Sequence, residues 1–179
     1  DDPRVMDSTT ALDLAEIPER LLVIGGGYIG LEMGTVYAAL GSRVSVVEMT
    51  SGLLPGVDRD LVRPLGRRLG EQFEAIHTGT RVESLVAESD GVRAVLVGEG
   101  ESRREATFEG VLVAVGRRPN SDGLGLETIG ITFSPEGHVM VDESGRTSVA
   151  NVFAVGDVCG EPMLAHKATA DAKRVVAAL

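Results

Sequence analysis

Continuous apolar runs alternate with helical stripes through the first part of the chain. RLLVIG (20–25) is one such run and suits a strand buried on both faces, as in a parallel sheet. Beyond it Ile29, Met33, Val36, Tyr37 and Leu40 fall on one side of a helix that Gly41 should end. RVSVVE (43–48) predicts a second strand, so the three elements form a βαβ unit with a right-handed crossover. Residues 1–20 read as an extended lead-in segment, with Pro18 keeping the approach to the first strand from being helical.

Leu61, Leu65 and Leu69 predict a second helix, but Pro64 lies inside it at a cost of up to about 3 kcal/mol. With Gly66 weakening it further, the helix should be short, kinked or started late. QFEAIH (72–77) reads as a third strand. TRVESLVAES, GVRAVLVGEG and RREATFEG alternate in short stretches between turns, which predicts an antiparallel meander. GVLVAVG (110–116) is another buried strand. GRRPNSDGLG (116–125) breaks the pattern and is the best internal boundary. Beyond it HVMVDESG suggests a short hairpin-like piece and NVFAVGDV (151–158) a further buried strand. AHKATADAKRVVAAL predicts a helix whose pattern is still running at Leu179. The fold class is therefore α/β: a Rossmann-like domain over 1–119, with parallel sheet and antiparallel meander, followed by a second segment over 120–179.

Charge narrows the partners. Lys+Arg 17 against Asp+Glu 27 gives a net charge of −10 in 179 residues, which argues against nucleic acid or an anionic membrane, since both need a basic footprint. No apolar stretch reaches the roughly 18 residues of a membrane span. The start, DDPRVMDSTTALDL, lacks the regions of a signal peptide and an initiator Met. Together with the helix cut at the far end, this predicts an internal piece of a longer, cytoplasmic chain. The single cysteine, Cys159, allows neither an internal disulfide, a CxxC pair nor a cysteine-based zinc site, and its surroundings do not mark a reactive thiol.

Gly25, Gly27 and Gly30 stand as G-x-G-x-x-G between the first strand and its helix. The first glycine permits the sharp turn, the second lets backbone approach a pyrophosphate, and the third lets helix and sheet pack closely. The helix N-terminus then offers N–H groups and positive potential to phosphates. Glu48 ends the second strand, about twenty residues beyond the loop, where a carboxylate can accept from both ribose hydroxyls and repel a 2′-phosphate. With no arginine between Glu48 and Arg59, the reading is NAD(H) rather than NADP(H).

GGGYIGLEMG, VVEMTSGLLPGVD, AVGRRPN, FAVGDV and MLAHKA, in that order, resemble the flavin-dependent disulfide reductases, most of all their dihydrolipoamide dehydrogenase branch. The resemblance covers nearly the whole chain. It implies that Gly25, Gly26, Gly27, Tyr28, Ile29, Gly30 and Glu32 hold the pyrophosphate and nicotinamide end of NAD, that Glu48 binds the adenosine ribose, that Val82 contacts the adenine side through its backbone, and that Gly116 lies beside the nicotinamide nucleotide. Tyr28 would cover the flavin until nicotinamide displaces it, and Glu32 would pair with a lysine near the flavin. Asp157 would bond the ribityl or phosphate region of FAD, and the backbone of Met163, Leu164, Ala165 and His166 would run along the isoalloxazine ring. Residues 120–179 would be the returning part of the flavin domain. Tyr28 read alone is equally an exposed first-turn residue, Glu32 a helix-terminal acid, Asp157 a residue that turns the chain, and Arg117 and Arg118 a solvated loop. His166 is expected to position rather than to act as a base.

The same resemblance implies what else the reaction needs: a glycine loop for FAD, a cysteine pair, and a domain with a catalytic His–Glu pair and most of a homodimer contact. The chain carries no second G-x-G-x-x-G and one cysteine. It is therefore expected to be the NAD-binding part of a flavoprotein that serves, as a homodimer, in a 2-oxoacid dehydrogenase complex, and to be inactive alone. NVFAVGDV would lack its neighbouring strands and pack atypically or against another chain, so that residues 120–179 self-associate. Relatives such as NADH oxidases or mercuric reductases, and a stand-alone dinucleotide-binding module, are the alternatives.

Overall fold

A computed structural model describes residues 2–179. Two units emerge, residues 1–116 and 117–179.

The first unit is built on a parallel sheet. Its strands are β1 (Val5–Met6), β2 (Arg20–Ile24), β3 (Arg43–Val47), β4 (Ala75–His77) and β8 (Gly110–Val113), in the order β1-β8-β2-β3-β4. The meander strands β5 (Arg81–Glu88), β6 (Gly91–Val97) and β7 (Arg103–Phe108) form a separate antiparallel sheet. The expected α/β class, with both sheets, is what the chain adopts. Strand alternation explains the layering. Leu21, Val23, Val44, Val46 and Leu112 face helices α1 (Tyr28–Ala39) and α2 (Arg59–Gln72). Leu22, Val47 and Val111 face the other way, onto Val92, Ala94, Leu96 and Phe108 of the meander. The parallel sheet is covered on both sides, which is why its strands read as continuous apolar runs.

Several expectations are corrected. The lead-in segment is more than extended chain. Val5 and Met6 pair in parallel with Val111 and Leu112, and Thr10–Asp13 forms a 3-10 turn. Two residues of strand are too short for a periodic signal. The turn is fixed by Tyr37, whose fully buried hydroxyl donates to the Ala11 carbonyl at 2.8 Å. Tyr37→Phe should cost about 1–2 kcal/mol in urea denaturation, because a buried carbonyl is left without a donor.

On α1, Val36 and Leu40 are exposed, and the buried face is Gly30, Leu31, Met33, Gly34 and Tyr37. The two glycines draw the helix down onto the sheet along their own stripe. A Cβ on Gly34 would stand 3.1 Å from the Phe73 ring. Helix α2 is neither short nor late. It runs for 14 residues with Pro64 inside it. The carbonyl that Pro64 leaves without a donor belongs to Asp60, an exposed residue, so water can satisfy it. Its inward stripe is the buried Val62 and Leu69 with the partly buried Leu65, while Leu61 is exposed. The third strand is only Ala75–His77.

The second unit contains helix α3 (Ala165–Ala178), two 3-10 turns at Leu126–Ile129 and Gly156–Cys159, and isolated antiparallel bridges Phe133–Val139 and Arg146–Phe153. HVMVDESG is hairpin-like only to the extent that Val139 bridges Phe133 in antiparallel, and NVFAVGDV does not form the expected strand. An apolar run becomes a strand only when another strand is there to pair with it, and here Phe153 makes a single bridge. The chain then turns at Gly156, whose φ is +82°, into the 3-10 turn. Arg146 compensates locally. Its guanidinium lies 4.9 Å from the Phe153 ring centroid and donates to the Ala178 carbonyl at 3.0 Å.

Candidate functional site

The site of the first unit lies at the C-terminal edge of the parallel sheet. The Gly25 N–H donates to the Val47 carbonyl at 2.8 Å, so the glycine loop leaves β2 while still tied to β3. Gly25 has φ +110°, and a Cβ there would meet the Ala114 carbonyl oxygen at 2.3 Å. A Cβ on Gly30 would come within 2.2 Å of the Gly25 carbonyl oxygen. These two glycines are required by the fold itself. Gly27 differs: it caps α1 with an ordinary extended conformation (φ −77°, ψ 175°), and a Cβ would meet nothing within 4 Å. The first intrahelical bond runs from Leu31 N–H to the Gly27 carbonyl at 3.0 Å. The N–H groups of Ile29 and Gly30 precede it in the first turn, where the helix itself supplies no acceptor. Backbone open on one side, with helix-terminal donors beside it, is a cradle that suits a diphosphate.

Glu48 lies beneath this loop at 7% exposure. One carboxylate oxygen accepts from the Gly26 N–H and the other from the Thr50 N–H, each at 2.7 Å. Burial raises its pKa, but the Thr50 and Gly26 N–H donors outweigh that and leave it below the ordinary glutamate value. The carboxylate therefore staples the loop in place. The 49–58 loop folds over the same glycine through a Leu54 N–H bond to the Gly26 carbonyl at 2.8 Å. Arg59 holds that loop by donating to the carbonyls of Leu53, Leu54 and Val57, so its guanidinium is committed to protein acceptors.

The other candidates of this unit come to the same edge. The Thr80 N–H donates to the Glu48 carbonyl at 3.0 Å, which brings the start of β5 and Val82 alongside. Ala114 N–H bonds the Ile24 carbonyl at 2.8 Å, which sets Gly116 two residues from the glycine loop's own contact with Ala114. Tyr28 and Glu32 are exposed on α1, and Ile29 is half-buried. Both lysines of the chain, Lys167 and Lys173, belong to α3 in the second unit. Sequence reasoning missed the loop-stapling roles of Leu54 and Arg59, because a main-chain bond and carbonyl capping leave no spacing signature.

In the second unit Asp157, Met163, Leu164, Ala165 and His166 gather at the start of α3. Arg117 joins them: its guanidinium pairs with the Asp157 carboxylate at 2.9 Å and donates to the Met163 carbonyl at 3.0 Å. Arg117 is thus more than a solvated loop residue. Asp157 remains partly exposed at its side chain, Met163 is buried, and His166 is exposed on the first turn of α3. A partly exposed carboxylate beside ordered main chain can accept from the hydroxyls of a polyol. Cys159 is half-buried, and burial pushes its thiol pKa up, so it is a poor nucleophile at neutral pH. Among the described residues no group of His, Cys, Asp or Glu could hold a metal ion, and no helix is long and apolar enough to cross a membrane.

Comparison with known proteins identifies the family. The chain is 44% identical over 167 residues to dihydrolipoyl dehydrogenase of Vibrio parahaemolyticus, a match covering 93% of this chain and 35% of that enzyme. It is 44% identical over 169 residues to the enzyme of the same name from Halobacterium salinarum, covering 94% and 35%. Among solved structures it is similar to the HOCl-induced flavoprotein disulfide reductase RclA of Escherichia coli in its Cu(II) complex, with TM-score 0.85 and 32% identity over 99% of this chain and 40% of that one. LpdA of Mycobacterium tuberculosis matches with TM-score 0.79 and 28% identity over 96% of this chain and 36% of that one. The chain thus spans about a third of the length of the curated relatives it matches. Residues 1–172 match the family described as pyridine nucleotide-disulphide oxidoreductase. The chain belongs to the pyridine nucleotide-disulphide oxidoreductase family.

Proposed function

We propose that this chain is the NAD(H)-binding part of a flavoprotein of the dihydrolipoyl dehydrogenase type, in which dihydrolipoamide and NAD⁺ become lipoamide and NADH. The observation that carries the reading is Glu48, buried at the end of β3 and bonded to the Gly26 N–H at 2.7 Å beneath the open face of Gly27. That arrangement offers helix-terminal N–H groups to a pyrophosphate and a carboxylate to a ribose. It also opposes a 2′-phosphate, and the Arg59 guanidinium is engaged by its own loop.

In this reading Gly25 to Gly30 cradle the pyrophosphate, with Tyr28 and Glu32 at the nicotinamide end. Glu48 orients the adenosine ribose, Val82 borders the adenine and Gly116 the nicotinamide. Residues 1–119 are the NAD-binding domain. Residues 120–179 belong to a flavin domain, where Asp157 accepts from the ribityl chain and Met163, Leu164, Ala165 and His166 run along the ring. When bound, FAD and a redox disulfide supply the electron transfer between the two substrates. With one cysteine, this chain contributes binding and orientation rather than turnover. The working protein is a cytoplasmic homodimer attached to a 2-oxoacid dehydrogenase complex. In the isolated chain, exposed Met140, Val155 and Val176 favour self-association through the second unit. The 44% identity to dihydrolipoyl dehydrogenase, against 32% to RclA, favours that branch over others.

Mapping of amide chemical shifts tests the residue assignment. NADH should move the signals of Gly25 to Gly30, Glu48, Val82 and Gly116 and leave those of α2 in place. Shifts confined to α2, or none at all, would contradict it.

A further inference from the structure

Lys167 stands where helix physics does not favour a lysine. It is the third residue of α3, in the first turn, where the helix dipole opposes a cation. Its i,i+4 partner is Asp171, and this order, cation before anion, is the less favourable one along a helix. The reason for the pair lies outside the helix. The Lys167 ammonium donates to the Gly156 carbonyl at 3.2 Å and to the Gly160 carbonyl at 3.3 Å, and pairs with Asp171 Oδ2 at 3.0 Å. An ammonium has three donors, and all three are engaged. Asp171, buried at 8% exposure, accepts from the Gly156 N–H at 3.3 Å, and Arg174 lies 3.3 Å from its other oxygen. Gly156 is therefore held at both its N–H and its carbonyl by opposite charges. Its φ of +82° disfavours a side chain, and a Cβ there would stand only 3.1 Å from that of Ala168. Gly156 and Gly160 bracket the turn that carries Asp157.

We propose that Lys167 and Asp171 are a positioning pair that fixes the Asp157 turn against the start of α3, so that a flavin ribityl group meets a carboxylate already in place. This rests on the reading that Asp157 and residues 163–166 face the flavin. Holding both peptide groups of the turn before a ligand arrives removes an ordering cost from binding.

The test compares the 179-residue chain with its Lys167→Met and Lys167→Arg variants by amide hydrogen exchange and by titration with FAD, followed through flavin fluorescence. Lys167→Met should speed exchange at Gly156 and Gly160 by about tenfold or more and weaken FAD binding by about tenfold, the scale of losing charge-assisted hydrogen bonds. Lys167→Arg keeps the charge and should recover part of both, while NADH affinity stays as in the unsubstituted chain. Unchanged exchange in Lys167→Met overturns the proposal, and so does unchanged FAD affinity where the unsubstituted chain binds FAD. If the unsubstituted chain takes up no FAD, as its lack of a second glycine loop would explain, exchange at the two glycines alone decides whether the pair fixes the turn, and unchanged exchange overturns the proposal.

Discussion

Replacing Glu48 by alanine is expected to destabilise the first unit by about 1–3 kcal/mol and to weaken NADH binding by a further 1–2 kcal/mol, roughly five- to thirtyfold. The two losses have different origins. Removing the carboxylate leaves the buried Gly26 N–H without an acceptor, and the Thr50 N–H must turn to water. That cost falls on the fold and is read by urea denaturation. The loss of acceptors for ribose hydroxyls falls on the complex and is read by calorimetry. Glu48 also gives the unit a pH dependence. Its pKa is depressed in the folded chain, so its contribution is complete above the unfolded value and fades as pH falls through the folded one. The alanine variant should therefore show a flatter acid limb in a plot of stability against pH. An unchanged stability and an unchanged NADH affinity together would remove Glu48 from both roles.

Gly27→Ala should spare the fold and act on the ligand alone. Its φ and ψ are open to any residue, and the added methyl meets no protein atom within 4 Å. Stability should stay within about 0.5 kcal/mol of the parent chain, as for a substitution away from packing. NADH affinity should fall at least about tenfold if, as proposed, the pyrophosphate lies against the open face of Gly27, where the methyl would stand. Gly30→Ala is the control of opposite sign. Its Cβ would press to 2.2 Å on the Gly25 carbonyl, so the fold itself must shift and stability should drop. If Gly27→Ala binds NADH as tightly as the parent chain, the diphosphate does not lie over this loop.

These distinctions mark how far the sequence could be read. The βαβ unit, the meander and the glycine loop were legible because buried strands, alternating strands and G-x-G-x-x-G each leave a periodic trace. The sequence could not show which face of α1 is buried. Glycine carries no hydropathy signal, and Gly30 with Gly34 sets the contact stripe while Val36 and Leu40 stay in solvent. It also overstated Pro64, because the cost of a helical proline depends on whether the lost bond faces water. The run NVFAVGDV misled for a related reason: strand formation is a pairing event, and the pairing partner is not written in the run itself. In the site, the positions of Glu48 and the three glycines were legible, but the inward turn of the Glu48 carboxylate was not. The Lys167–Asp171 grip was equally hidden, since its acceptors are peptide carbonyls.

The account stands on the first unit being an NAD(H) site with Glu48 as its selector. Calorimetric titration of the chain with NADH and, separately, with NADPH tests this most directly. Saturable NADH binding, with NADPH weaker by about tenfold or more for a phosphate set against a buried carboxylate, is the predicted result. Equal affinity for the two dinucleotides, or no binding of NADH, would contradict it.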